Sequence, residues 1–226
     1  MDKELAQQLS KKLKISTPQI VREEYELIIL KELFSSSIGE KLVFKGGTAL
    51  RLGYDSPRFS DDLDFSTIGK IKEDVFKKAC QDIANSNQNL SLVEALEKAY
   101  TLFALFKISD PSLSQNFSIK IDISIRKIDL AEGKDYVPLL LKSSVSPINL
   151  IANTTTLQKV LSDKLDISPK RIRDIFDIWF VEQRFGNVSK KMDFSQFGKN
   201  EVRRELNRLL PISYKSLIDG LTKTNE

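Results

Sequence analysis

The apolar positions of the chain follow two periods, and the places where one gives way to the other predict its elements. After Met1-Asp2-Lys3-Glu4, which opens a charged amphipathic stretch, Thr17 and Pro18 stand as cap and first position of a helix over 17–34. Its apolar face is Ile20, Tyr25, Leu27, Ile28 and Leu30. The run Leu42-Val43-Phe44 predicts a strand that hands over at Lys45-Gly46-Gly47 to a helix beginning near Thr48, which Gly53 and Pro57 then break. Asp62-Leu63-Asp64-Phe65-Ser66 alternates and predicts a second strand; residues 71–84 predict a helix. Between 90 and 126 the period is two: Leu90/Leu92, Leu102/Ala104/Phe106/Ile108, then Phe117/Ile119/Ile121/Ile123/Ile125. This pattern gives two or three antiparallel strands with turns near Asp110-Pro111 and Ser114-Gln115-Asn116, although 92–99 fits a helix equally well.

Beyond Pro147 the helical period returns. Leu157, Val160, Leu161 and Leu165 are followed by Ile172, Ile175, Phe176, Trp179 and Phe180, with a break at Ser168-Pro169. Shorter helices are expected near 200–209 and 213–221, around Pro211. The expected organisation is an α/β core with N-terminal helices over residues 1–150 and a helical region over 151–226, with no free linker between them.

Composition narrows the chemistry. The 226 residues include no histidine and one cysteine, Cys80, which removes imidazole bases, Ser-His-Asp triads, His-ligated zinc and intrachain disulfides. Any catalysis falls to carboxylates, lysines, hydroxyls or a hard cation held by oxygen. No stretch approaches the ~20 apolar residues that span a bilayer, and the N-terminus has no signal-peptide core. A cytoplasmic protein with no membrane partner is therefore expected. The net charge is +4, and residues 1–158 contribute none of it, with 21 basic and 21 acidic side chains. Residues 159–226 carry 14 basic and 10 acidic, so the helical tail is the expected polyanion-facing part.

Four features fall on predicted strand ends. Gly46-Gly47-Thr48 lies at a strand-to-helix junction, where glycines admit a close backbone approach and a helix N-terminus favours phosphate; a plain tight turn gives the same signal. Asp62 and Asp64, two apart on a strand, present two carboxylates on one face. Such a pair repels unless a cation lies between, and oxygen ligands of this kind suit Mg²⁺. Asp122 shares a face with Lys120 and Ser124, opposite the isoleucines, and fits either a third metal ligand or a base for an incoming hydroxyl. Last come Lys164, Arg171, Arg173, Asp174 and Asp177; the two aspartates, three apart, share a helix face. Lys164 is placed to reach a triphosphate or to pair with a neighbouring acid.

The run Phe44-Lys45-Gly46-Gly47-Thr48-Ala49-Leu50, with Arg58-x-Ser60-x-Asp62-Leu63-Asp64-Phe65 downstream, resembles the signature of the AbiEii/AbiGii toxin family, which includes the MenT group. Leu161-x-x-Lys164-Leu165 and Arg173-Asp174-Ile175-Phe176-Asp177-Ile178 resemble its later, looser motifs. The resemblance implies a polymerase-β-like nucleotidyltransferase core with a mixed antiparallel sheet and a C-terminal helical bundle. It implies Mg²⁺ (or Mn²⁺) and an NTP, an RNA acceptor, most often the tRNA 3′ end, and a cognate antitoxin. By that likeness Gly46, Gly47, Thr48, Arg58 and Ser60 hold the triphosphate, and Asp62, Asp64 and Asp122 bind metal. Lys164 joins them as a catalytic residue contacting phosphate, and Arg173, Asp174 and Asp177 shape the pocket. Where the family carries an arginine after the lysine, this chain has Ser168-Pro169-Lys170-Arg171, and Arg171 is the residue available for that place. Nucleotidyl transfer needs no histidine, since positioning and electrostatics carry it. The alternatives are transfer to a protein or small molecule, and a non-catalytic binding module of the same fold.

Overall fold

The computed structural model describes residues 1–187 and 191–221. Seven strands form one mixed sheet in the order β3-β4-β5-β2-β1-β7-β6. They are β1 (Leu42–Lys45), β2 (Asp62–Thr67), β3 (Leu90–Lys98), β4 (Thr101–Ile108), β5 (Phe117–Ser124), β6 (Tyr136–Leu141) and β7 (Leu150–Thr155). Among the described residues eight α-helices accompany them: α1 (Lys3–Leu13), α2 (Thr17–Ser35), α3 (Gly46–Tyr54), α4 (Glu73–Asn85), α5 (Leu157–Asp166), α6 (Ile172–Arg184), α7 (Lys199–Leu209) and α8 (Lys215–Leu221). β2 runs antiparallel to β1 but parallel to β5, and β1 runs parallel to β7. The other pairings are antiparallel.

Alternation decides which sheet face is covered. Leu63 and Phe65 of β2, Leu102, Ala104 and Phe106 of β4, and Ile119, Ile121 and Ile123 of β5 all pack into one cluster with α2 and α4. Each such aliphatic or aromatic side chain contributes about 1.5–3 kcal/mol on burial. The residues between them, Asp62, Asp64, Lys120, Asp122 and Phe103, stay partly open on the opposite face. A second cluster joins α5, α6, α7 and α8 through Val160, Phe176, Val181, Val202, Leu206 and Ile218. Helix α3 serves both: Ala49 and Leu52 enter the sheet cluster while Leu50 enters the helical one. Its N-terminus, Gly46-Gly47, is thereby fixed where the two meet.

Several boundaries differ from the expectation. The cap of α2 is Ser16 rather than Thr17, with Pro18 still in the first turn. Gly53 does not break α3; it lies inside the helix, its Cα facing Leu139, Leu141 and Thr154. The helix ends at Asp55, in the left-handed region at φ 61°, whose N–H donates to the Leu50 carbonyl. Residues 92–98 are strand, with a bulge at Leu92/Glu94, and of the two or three strands expected between 90 and 126 three are present. β6 and β7 had no forecast, and β7 overturns the helical reading of the segment just after Pro147. Its Thr154 and Thr155 look polar in sequence yet are buried, their hydroxyls donating to the carbonyls of Ala152 (3.0 Å) and Phe44 (2.9 Å). A strand of the sheet therefore comes from beyond residue 150, and the helical part begins at Leu157.

One core position sets a pH dependence. Glu26 on α2 is buried and its Oε1 has no hydrogen-bond partner. Burial, then the neighbouring charge of Glu23, pushes this carboxyl well above the ordinary 4.5. A carboxyl raised in the folded state contributes stability that is fully present below its unfolded value and is lost as pH rises through the folded one. Glu26→Gln is expected to be more stable than the natural chain at pH 8 by about 1 kcal/mol or more, and near parity at pH 4.5. Urea unfolding at the two pH values checks this; an equal difference at both would refute it.

Candidate active site

The site is built at the C-terminal end of β1. Lys45 caps α3, and Gly46 follows in the left-handed region at φ 82°. A Cβ on Gly46 would lie 2.6 Å from Asp64 Oδ2, and one on Gly47 would lie 2.2 Å from Arg58 Nη2 and 2.8 Å from Ser60 Oγ. Each glycine thus makes room for a particular side chain. Thr48 serves the frame rather than the cavity: it is buried, and its hydroxyl donates to the Asp62 carbonyl at 2.6 Å. That bond pins the start of β2 to α3.

The carboxylates come together through strand register. Asp62 and Asp64 share a face of β2, and the parallel pairing with β5 sets Asp64 beside Asp122 and Asp62 beside Lys120. Lys120 Nζ lies 3.0 Å from Asp122 Oδ2 and 3.6 Å from Asp62 Oδ2. Burial works against the charge of this ammonium, but the hydrogen bond to Asp122 and the charge of Asp62 outweigh it and raise its pKa. Asp64 has no such partner. Burial, then the charges of Asp62 and Asp122, pushes its carboxyl above the usual range.

Arg58, ahead of β2, joins residues of the helical part in a chain of ions that is buried except at Arg171. Arg58 donates from Nε and Nη2 to the two carboxylate oxygens of Asp177, each at 2.8 Å. Lys164 Nζ reaches Asp177 Oδ2 at 2.7 Å and Asp174 Oδ1 at 2.8 Å. Arg171 closes the chain, donating to Asp174 from Nε (2.8 Å) and Nη2 (3.0 Å). Burial alone would raise both aspartates; the guanidinium and ammonium groups beside them outweigh it and hold them below the usual carboxylate range. Arg58 and Asp177 therefore answer each other, and Asp177 is fully buried.

A cavity of 460 Å³ opens between these groups. Gly46, Gly47, Arg58, Ser60, Asp62, Asp64, Lys164, Arg173 and Asp174 line it, whereas Thr48, Asp122 and Asp177 do not. Asp122 stays adjacent through Asp64 and Lys120. Three cations of the lining carried no assigned role in the sequence, Lys45, Arg126 and Lys159, and Arg171, the residue available for the family's arginine place, lines it too. Lys45 sits across from Asp64 in the β1–β2 register, and burial lowers its pKa. Its place in the Lys45-Gly46-Gly47 run was the available signal. Ile128, Leu130 and Ile167 add an apolar wall.

Among the described residues no three acidic or sulfur side chains converge closely enough to hold a metal alone. The donor set still fits Mg²⁺, which is commonly held by one or two carboxylates with substrate phosphates completing its shell. Asp62 and Asp64 face one cavity, and the raised Asp64 carboxyl marks negative charge that a cation would relieve. Asp122, drawn to Lys120, is the weaker candidate for a third ligand.

Comparison with known proteins agrees with this arrangement. Residues 28–214 match the family described as nucleotidyl transferase AbiEii toxin, type IV TA system. The fold is shared with MenT4, a nucleotidyltransferase toxin from Mycobacterium tuberculosis H37Rv, at a TM-score of 0.58 and 17% identity over 90% of this chain and 68% of that one. It is also shared with JHP933 from Helicobacter pylori, at a TM-score of 0.56 and 19% identity over 92% and 91%. No curated protein matches the chain. The family match extends over most of the chain and takes in every strand and the whole ion chain. The chain belongs to the AbiEii family of nucleotidyltransferase toxins of type IV toxin–antitoxin systems. Membership implies an NTP substrate and an antitoxin partner. No helix among the described residues is long and apolar enough to cross a membrane.

Proposed function

We propose that this AbiEii-family nucleotidyltransferase transfers a nucleotide from an NTP to the terminal hydroxyl of an RNA, the 3′ end of tRNA, with Mg²⁺ in the site, inside the cytoplasm. The observation that carries the reading is the β2–β5 register, which places Asp62, Asp64 and Asp122 together beside the N-terminus of α3. Asp62 and Asp64 would hold the divalent ion, whose chemistry is to neutralise phosphate oxygens as charge develops on them.

The chain's own groups account for the rest. The amides at the start of α3 and the cations Lys45, Lys159 and Arg173 bind and orient the triphosphate. The acceptor oxygen forms a bond to the α-phosphorus, the bond from that phosphorus to the α–β bridging oxygen breaks, and pyrophosphate leaves with the electron pair. The hydroxyl proton passes to the Asp122 carboxylate, which Lys120 holds in place. Ile128, Leu130 and Ile167 give the base an apolar surface and exclude water.

The deciding experiment incubates the protein with each labelled NTP, Mg²⁺ and total RNA, and separates the products on a gel. A labelled RNA band that chelation abolishes is expected. Label on protein instead would move the acceptor to a side-chain hydroxyl, and no labelled RNA with any of the four NTPs would overturn the RNA reading.

A further inference from the structure

A cavity of 430 Å³ lies outside the carboxylate site, between the turn joining α1 to α2 and the end of α7. Its charged lining consists of Lys14, Arg208 and Lys215, with no carboxylate. The N-terminal and C-terminal parts are tied together there, the Ile212 N–H donating to the Lys14 carbonyl at 2.9 Å. Among the described residues neither Lys14 nor Lys215 has a carboxylate partner, and both are exposed. Lys11 and Lys12, exposed in the last turn of α1, extend the positive surface. Summing charge along the sequence conceals this patch, because acids elsewhere in the first 158 residues cancel the lysines that fold against the tail. Of the tail's charged residues, Lys190, Lys223 and Glu226 lie outside the described residues.

The patch borders the active site by two routes. Arg208 Nη1 lies 2.8 Å from Asp61 Oδ2, and Asp61 stands between Ser60 and Asp62, which line the catalytic cavity. One turn earlier on α7, Glu205 is 3.4 Å from Arg173, itself in that lining. Glu205 and Arg208 are about 4.5 Å apart along the helix axis, so α7 spans the two cavities.

From this we infer that the cavity between Lys14, Arg208 and Lys215 is a phosphodiester site that grips the acceptor strand one or a few nucleotides before its reacting end. The inference rests on the RNA reading above and names where that RNA is held. Lys14 and Lys215, without carboxylate partners among the described residues and flanking the Asp61-paired Arg208 in a concave surface, suit phosphate oxygens and make binding salt-dependent through counterion release. In the catalytic cavity Arg58, Lys164 and Arg171 are committed to Asp174 and Asp177, and Lys45, Lys159 and Arg173 are assigned above to the triphosphate, so backbone binding calls for a separate surface.

The test compares the full chain with its Lys14→Ala/Lys215→Ala variant, both positions being exposed and outside the catalytic lining. Binding of a fluorescent RNA hairpin with a single-stranded 3′ end is followed by anisotropy across salt concentrations. The variant should bind about tenfold more weakly at near-physiological salt, and its slope of log affinity against log salt should be shallower by about 1.4. In the transfer assay KM for RNA should rise while kcat and KM for NTP stay unchanged, and Lys14→Arg/Lys215→Arg should restore binding. An unchanged slope and KM for RNA in a protein that still labels RNA would overturn this inference alone. Unchanged RNA binding with lost binding of a poly-glutamate peptide would assign the patch to an acidic protein and overturn it as well. Failure of the natural chain to label RNA would instead sink the RNA reading itself.

Discussion

Asp64→Asn is expected to abolish nucleotidyl transfer and, in metal-free buffer, to raise the melting temperature. With Asp62 and Asp64 holding the divalent ion as proposed, removing one of the two carboxylates should lower kcat roughly 10³-fold or more, as loss of a group stabilising developing charge does elsewhere. The stability gain has a separate cause. Asp64 is buried among Asp62 and Asp122, Lys120 and Lys45 offset their charge only in part, and its carboxyl lies above the usual 3.8. Its contribution to stability is full below that ordinary value and is lost as pH rises through the folded one, so at pH 7 the charged form is a liability. An uncharged amide of the same shape removes that repulsion. A gain of about 1 kcal/mol would raise the melting point by roughly 2–4 °C at this size. Differential scanning calorimetry in chelator, beside the transfer assay, checks both halves. Retained activity would remove Asp64 from the chemistry, and a lowered melting point would refute the account of its charge.

Asp177→Asn should do the reverse, weakening the fold before any question of catalysis arises. The substitution leaves Arg58 and Lys164 facing a neutral group in a buried site, a change that costs about 3–5 kcal/mol when one partner of a buried pair is removed. The carboxyl of Asp177 lies below the ordinary 3.8, so its contribution is present above that value and disappears as pH falls through the folded one. The difference between variant and natural chain should therefore shrink in strong acid and be fully developed by pH 6. Urea unfolding from pH 3 to pH 7 measures it. Arg58→Met combined with Asp177→Leu should recover much of the loss, since matched apolar groups often replace a buried pair without penalty. A single variant within 1 kcal/mol of the natural chain would show that the ion chain is not structural.

The Asp62/Asp64 pair was legible because a strand's two-residue period dictates which carboxylates share a face, and the core-facing Leu63 and Phe65 fix the phase. The pairing of Asp64 with Asp122 was not, because register between strands separated by α4 and the β3–β4 hairpin is a tertiary fact. Lys120 was visible on the face of Asp122, but its contact with Asp62 needed the same register. The Arg58–Asp177 bond spans 119 residues and left no local trace, so both residues read as substrate contacts. β7 was missed because buried threonines, satisfied by backbone carbonyls, imitate an exposed segment. Gly53 misled for another reason: a glycine inside a helix reads in sequence like one that ends it.

That long-range bond also bears on when a newly made molecule becomes dangerous. Closing a loop of more than a hundred residues is entropically unfavourable and slow, so such contacts tend to form late. Gly47 sits under the Arg58 guanidinium, and Lys164 sits between Asp174 and Asp177, so the nucleotide pocket has no settled walls until α6 docks. An incompletely folded copy is expected to lack nucleotidyl transfer. In refolding, transfer activity should return only with the long-range Arg58–Asp177 contact.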